Sequence, residues 1–112
     1  MSEWQYCCKT TEVSEGKPIG KEIDGVPIGV FKVGDEWYAL KDVCPHQYAL
    51  LSEGYQDGDA VECPLHQACF EIATGKCLSG PSDRDAETLA IKIESDEIFV
   101  RLPPSTERIT PG

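Results

Sequence analysis

Residues 44–66 read CPHQYALLSEGYQDGDAVECPLH. The stretch opens on Cys44-Pro45-His46 and closes on Cys63-Pro64-Leu65-His66, with sixteen residues between His46 and Cys63. The chain has 2 histidines, and both lie here. Thiolate and imidazole are soft or borderline donors that suit iron–sulfur, zinc or copper. Two of each, with no carboxylate at matching spacing, point to a metal site. Two arrangements satisfy the donor set: one tetrahedral zinc held by all four side chains, or a [2Fe–2S] cluster with cysteines on one iron and histidines on the other. Mixed zinc sites usually keep the cysteines together and the histidines together. Here each turn supplies one Cys and one His, so each loop can give one ligand to each of two irons.

With Leu51 to Asp59 between the turns and Phe70 to Lys76 after them, the pattern resembles the Rieske-type ferredoxins. It is most similar to the soluble ferredoxin component of bacterial aromatic-ring-hydroxylating dioxygenase systems, and the likeness runs from the first strand to about Arg101. The resemblance implies one [2Fe–2S] Rieske cluster, with Cys44 and Cys63 on a buried ferric iron. His46 and His66 then hold an outer iron, the one that is reduced, with their far imidazole edges reaching solvent. Pro45 and Pro64 stiffen the two loops. Gln47 and Gln67 stand where glycines often follow the ligand histidines. Gln67 is either a partner contact or an exposed polar residue, and Tyr48 either docks or packs inward. Pro81 corresponds to the proline-bearing loop that shields the cluster. The candidate docking set is therefore Gln47, Tyr48, Gln67 and Pro81.

The same resemblance gives an expected potential. High-potential Rieske proteins link the two loops by a disulfide, whose cysteines fall at Ala49 and Leu65 here. They also donate a Ser and a Tyr hydroxyl to cluster sulfur and a ligand thiolate, at positions held here by Ala68 and Phe70. Hydrogen bonds to sulfur favour the more negative reduced state. Without these two, the potential is expected at the low end, on the order of −150 mV.

The function so implied is that of a carrier. It takes single electrons from an FAD-containing NAD(P)H ferredoxin reductase and gives them to a terminal oxygenase. An oxygenase would need a further iron held by two histidines and a carboxylate, and both histidines are already used. No G-x-G-x-x-G occurs to suggest a dinucleotide site. Two other readings stay open: a Rieske small subunit of another oxidoreductase, of the nitrite reductase type, or a zinc-stabilised interaction domain.

At 112 residues the chain is expected to be one domain. We place it at residues 1–102, with a cluster-binding subdomain at about 42–81 and a flexible tail at 103–112. It has no apolar run of membrane-spanning length and no leader pattern, so a cytoplasmic location is expected. A net charge of −10 opposes nucleic acid and anionic membranes. It suits a partner with a basic face, or serves solubility, and a monomer is expected. In a reducing compartment, Cys7, Cys8, Cys69 and Cys77 read as small, partly buried thiols.

The flanking sequence reads as short strands. These are 4–11, 19–23, 26–33 and 36–40, which should form a meander; 60–62; a hairpin of 70–72 and 76–78; 89–93; and 98–102. Asp24-Gly25 is a strong hairpin signal. Cys7 and Cys8, adjacent in a strand, should face opposite sides. Trp4 and Trp37 are expected in the core, and residues 83–88 allow a helical turn at most. The fold class is all-β, a small sandwich or partly open barrel, and the resemblance implies the Rieske (ISP-like) fold: an antiparallel β-sandwich base with a small cluster-binding subdomain.

Overall fold

The computed structural model describes residues 4–43, 50–64, 68–79 and 85–102. Among these, eleven strands form three antiparallel sheets. β1 (Trp4–Lys9), β11 (Glu97–Arg101) and β10 (Ile91–Glu94) make the first, in the order β1-β11-β10. β2 (Ile19–Ile23), β3 (Val26–Val33), β4 (Glu36–Lys41) and β9 (Thr88–Leu89) make the second, in chain order. The third is β5 (Tyr55–Asp57), β6 (Ala60–Glu62), β7 (Cys69–Glu71) and β8 (Cys77–Ser79). The chain is thus all-β, with 3₁₀ turns at Thr10–Glu12 and Leu51–Glu53. No helix is long and apolar enough to cross a membrane among the described residues.

Turn chemistry sets the registers. Asp24 and Gly25 both take positive φ, 53° and 80°. Two such residues in succession twist the chain as a two-residue hairpin requires, and Ile23 pairs with Val26 across the turn. Ser95 and Asp96 do the same between β10 and β11, at φ of 50° and 66°.

The middle sheet is the shared wall. Along β3, Val26, Ile28 and Val30 enter one core with Cys7, Cys8, Val13, Ala39, Leu89, Ile98 and Val100. Phe31, on the other face, joins Leu40, Leu51, Val61, Cys63, Ala68, Phe70, Ile72 and Ala86 in a second core. A strand covered on both faces reads as a near-continuous apolar run, as 26–33 does. Gln56 ties the third sheet to this wall. Its Nε2 donates to the Lys32 and Gly58 carbonyls at 2.8 and 3.0 Å, and its Oε1 accepts from the Gly16 N–H at 3.2 Å.

Several expectations need correcting. β1 does not continue the β2-β3-β4 meander. It crosses to β11 and ends at Lys9, where the 3₁₀ turn begins. Cys7 and Cys8 do not face opposite sides: both are buried in the first core. Tyr6 pairs with Phe99 and Cys8 with Ile98, so β1 uses one residue more than its partner at Cys7. Such a bulge breaks the two-residue alternation. The single strand expected at 89–93 is two, β9 on the middle sheet and β10 on the first, because the chain changes sheets at Ala90. Ile93 is consequently exposed. Trp4 is not core. The Lys92 ammonium and the Arg101 guanidinium lie 5.1 and 4.8 Å from its ring centroid. Trp37 does pack against the first core. Residues 85–87 hold no helical turn; 83 and 84, like the tail at 103–112, lie outside the described residues.

Candidate metal centre

The second Cys-His turn is the loop of the β6–β7 hairpin. Ala60 pairs with Glu71, Val61 with Phe70 and Glu62 with Cys69. The ladder closes one step further, where the Cys63 N–H donates to the Ala68 carbonyl at 2.7 Å. Cys63 therefore leaves the sheet from a fixed backbone position. Its residue is only 1% exposed, in the second core with Leu51, Ala68 and Phe70. Gly54 crowds the same corner: a Cβ there would lie 2.0 Å from the Glu62 carbonyl oxygen. Beside it a groove of about 310 Å³, lined by Glu53, Gly54, Tyr55, Glu62, Cys63 and Pro64, opens to solvent.

The segment carrying the first Cys-His turn is held from both ends. Asp42 follows β4, with its N–H on the Pro27 carbonyl at 2.9 Å. Its carboxylate accepts the Ser52 N–H at 2.7 Å and the Ser52 hydroxyl at 2.5 Å. Burial pushes the Asp42 carboxyl above its ordinary value, against the opposing pull of the Ser52 bonds. The residues beside 80–84 are tied in a similar way. Asp85 Oδ1 accepts the Cys77 N–H at 2.9 Å, and the Ala86 N–H donates to the Gly75 carbonyl at 2.7 Å.

Of the four sequence-derived ligands, the structure describes Cys63. Cys44, His46 and His66 lie outside the described residues, as do Gln47, Tyr48, Gln67 and Pro81 of the docking set and Ala49 and Leu65 of the disulfide comparison. No group of three His, Cys, Asp or Glu side chains close enough to hold a metal therefore occurs among the described residues. What is described fits the cluster. Cys63 is a free thiol at a rigid strand end, against a dry apolar wall suited to a buried iron. Ala68 and Phe70 are fully buried and carry no hydroxyl. Sequence reasoning missed Asp42, Ser52 and Gln56. Polar residues beside a ligand motif read as exposed, and the available signal was the glycine pair, Gly20 and Gly29, in strands otherwise suited to side chains.

The Rieske [2Fe-2S] domain family matches residues 3–93. The 3-phenylpropionate/cinnamic acid dioxygenase ferredoxin subunit of Shigella flexneri serotype 5b (strain 8401) is 44% identical over 100 residues, 88% of this chain and 92% of that protein. Among solved structures, the Sphingomonas yanoikuyae B1 ferredoxin superposes with a TM-score of 0.84 at 30% identity, over 88% of this chain and 98% of that one. The complex of reduced oxygenase and oxidized ferredoxin in carbazole 1,9a-dioxygenase gives 0.83 at 31%, over 90% and 94%. The chain belongs to the Rieske [2Fe–2S] domain family. Within it, the chain is of the ferredoxin type, an electron-carrying component of an aromatic dioxygenase system rather than the oxygenase itself, and its cofactor is one Rieske cluster.

Proposed function

We propose that Cys44 and Cys63 bind one iron of the cluster and His46 and His66 the other. On this reading the protein carries single electrons from an FAD-containing NAD(P)H reductase to a terminal oxygenase that hydroxylates an aromatic ring. The setting of Cys63 carries the reading: a buried free thiol, fixed by the Ala68 bond, at the head of the C-P-L-H turn. The bound cluster supplies a reversible one-electron couple. The chain's own part is to hold two ligand loops still while the charge changes. β6 and β7 grip one loop, Asp42 and Ser52 the other. The core of Phe31, Leu51 and Phe70 keeps water from the cysteine side. The histidine side then serves electron exit, and Gln47, Tyr48, Gln67 and Pro81 form the docking rim. An interface for rapid, repeated delivery is small and transient.

We place residues 1–102 in one Rieske domain, with the cluster-binding part at about 42–81. The third sheet, at 55–79, and the ties at Asp42 and Asp85 support that division. We place the protein in the cytoplasm, as a monomer, beside its reductase.

The test is metal analysis with spectroscopy. Two irons and two acid-labile sulfides per chain are expected, with a Rieske signature that His66→Cys abolishes or strongly shifts. A colourless protein holding one zinc, or an unchanged spectrum in that variant, would overturn the assignment. The potential is expected near the low end of the Rieske range, and a value above roughly +100 mV would contradict the missing sulfur hydrogen bonds.

A further inference from the structure

Below the first ligand loop lies a polar device that neither the motif nor the family assignment uses. Gly20 and Gly29 stand directly opposite each other on β2 and β3. Ile19 and Val30, their neighbours in the ladder, face the first core or pack against it. The glycines therefore face the other way, toward the second core. Neither takes positive φ, so backbone conformation does not call for glycine at either site. Space does. A Cβ on Gly20 would lie 2.5 Å from Ser52 Oγ and 2.8 Å from Asp42 Oδ2, and one on Gly29 would lie 3.0 Å from Asp42 Oδ1. The glycine pair opens a notch in the sheet, and the Asp42 carboxylate and Ser52 hydroxyl fill it.

Two facts make this more than a buried hydrogen bond. Asp42 and Ser52 are ten residues apart in sequence and close the segment that contains Cys44 and His46. The notch also fixes where the closure sits. Oδ1 and Oδ2 each face a different glycine, which sets both the height of the carboxylate and its rotation. Metal ligands need positions held to about 0.5 Å and 10–20° by groups behind them, and such outer partners tune the centre they support.

We propose that Asp42 and Ser52, seated in the Gly20–Gly29 notch, are positioning residues for the first ligand loop. They fix its two ends and so set the geometry at Cys44 and His46, and through it the spectrum and potential of the cluster. The proposal rests on the ligand assignment above.

Ser52→Ala is the primary test, because it removes one hydrogen bond without changing charge. In the holo-protein it is expected to shift the electron paramagnetic resonance and visible circular dichroism signatures and to move the potential. It should speed cluster release to a chelator about tenfold, on the scale of a lost bond to a charged group. Amide exchange at Ser52 should rise in step. Asp42→Asn is the conservative rescue. Its carbonyl can accept the Ser52 N–H and its amide can donate to Ser52 Oγ, so a near-native spectrum is expected, whereas Asp42→Ala should match or exceed Ser52→Ala. Gly20→Ala should disturb the same signals, and less so in a Ser52→Ala background, where its 2.5 Å contact is gone.

Ile98→Ala, in the other core, controls for general destabilisation and should leave the signatures unchanged. Native spectrum and potential in Ser52→Ala would overturn the proposal, as would equal shifts in Ile98→Ala or additive effects of Gly20→Ala and Ser52→Ala. Should Ser52→Ala retain no cluster, Asp42→Asn and Gly29→Ala decide. A native signature in Asp42→Asn with a shifted one in Gly29→Ala supports the device; the reverse pattern overturns it. His46→Cys separates this from failure of the ligand assignment. If its spectrum stays native, the ligand assignment falls; if it changes while Ser52→Ala does not, only the positioning role falls.

Discussion

Single buried polar atoms decide much of this molecule. Gln56 is the clearest case, since three backbone groups from Gly16, Lys32 and Gly58 spend their hydrogen bonds on one amide. Truncation leaves them without that partner in a buried setting. Gln56→Ala is therefore expected to cost about 2–3 kcal/mol, measured by chemical denaturation, and an effect within 0.5 kcal/mol would mean that water replaces the amide at little cost. Cys7 and Cys8 are decided the same way. The Cys8 thiol is pushed well above its ordinary value, first by its hydrogen bond with Cys7 and then by burial. The folded state so keeps a proton that the unfolded chain releases above a pH of about 8.5. The unfolded state binds fewer protons there, so stability falls as pH rises past that point, by about 1.4 kcal/mol per pH unit for one thiol. Cys8→Ala should flatten that slope. In the native protein at neutral pH, alkylation followed by mass spectrometry should find the partly exposed Cys69 and Cys77 modified first, with Cys7 and Cys8 protected.

At the scale of elements, hairpins do the positioning and glycines allow them to approach. The β6–β7 hairpin presents Cys63, and Gly54 lets the preceding chain lie against the Glu62 carbonyl. A side chain there meets backbone, which cannot swing aside. Gly54→Ala is expected to destabilise by more than about 3 kcal/mol and to lower bound iron in purified protein. Full iron content with a native melting temperature would show that the corner relaxes. Gly75 stands in the same position toward the Ala86 carbonyl, with the added constraint of φ at 79°. The stretch at 88–94 shows how an element can be misjudged: Leu89, Ile91 and Ile93 alternate as one strand should, yet the chain changes sheets at Ala90 and leaves Ile93 outside.

Across the whole molecule, one sheet separates two cores, and charge is spread over an acidic surface. Reduction adds one negative charge to a chain already at −10. Association with a basic partner face should be steered electrostatically and weaken with salt. Reduction by the reductase is expected to slow about tenfold or more between low and high ionic strength, read by stopped flow, and rates indifferent to salt would assign the charge to solubility alone. The sequence alone determined the all-β class, the hairpin at Asp24-Gly25, the type of metal centre and the carrier role. Those follow from local rules: which residues turn, which alternate and which donor atoms a metal takes. Tertiary structure decided what depends on distant pairing. It sent β1 to β11 and, through a bulge, turned Cys7 and Cys8 to one side. It also brought Gly20, Gly29, Asp42 and Ser52 together beneath the first ligand loop. A notch made of missing side chains on two strands leaves no periodic mark in the sequence, because its meaning lies in what another part of the chain puts there.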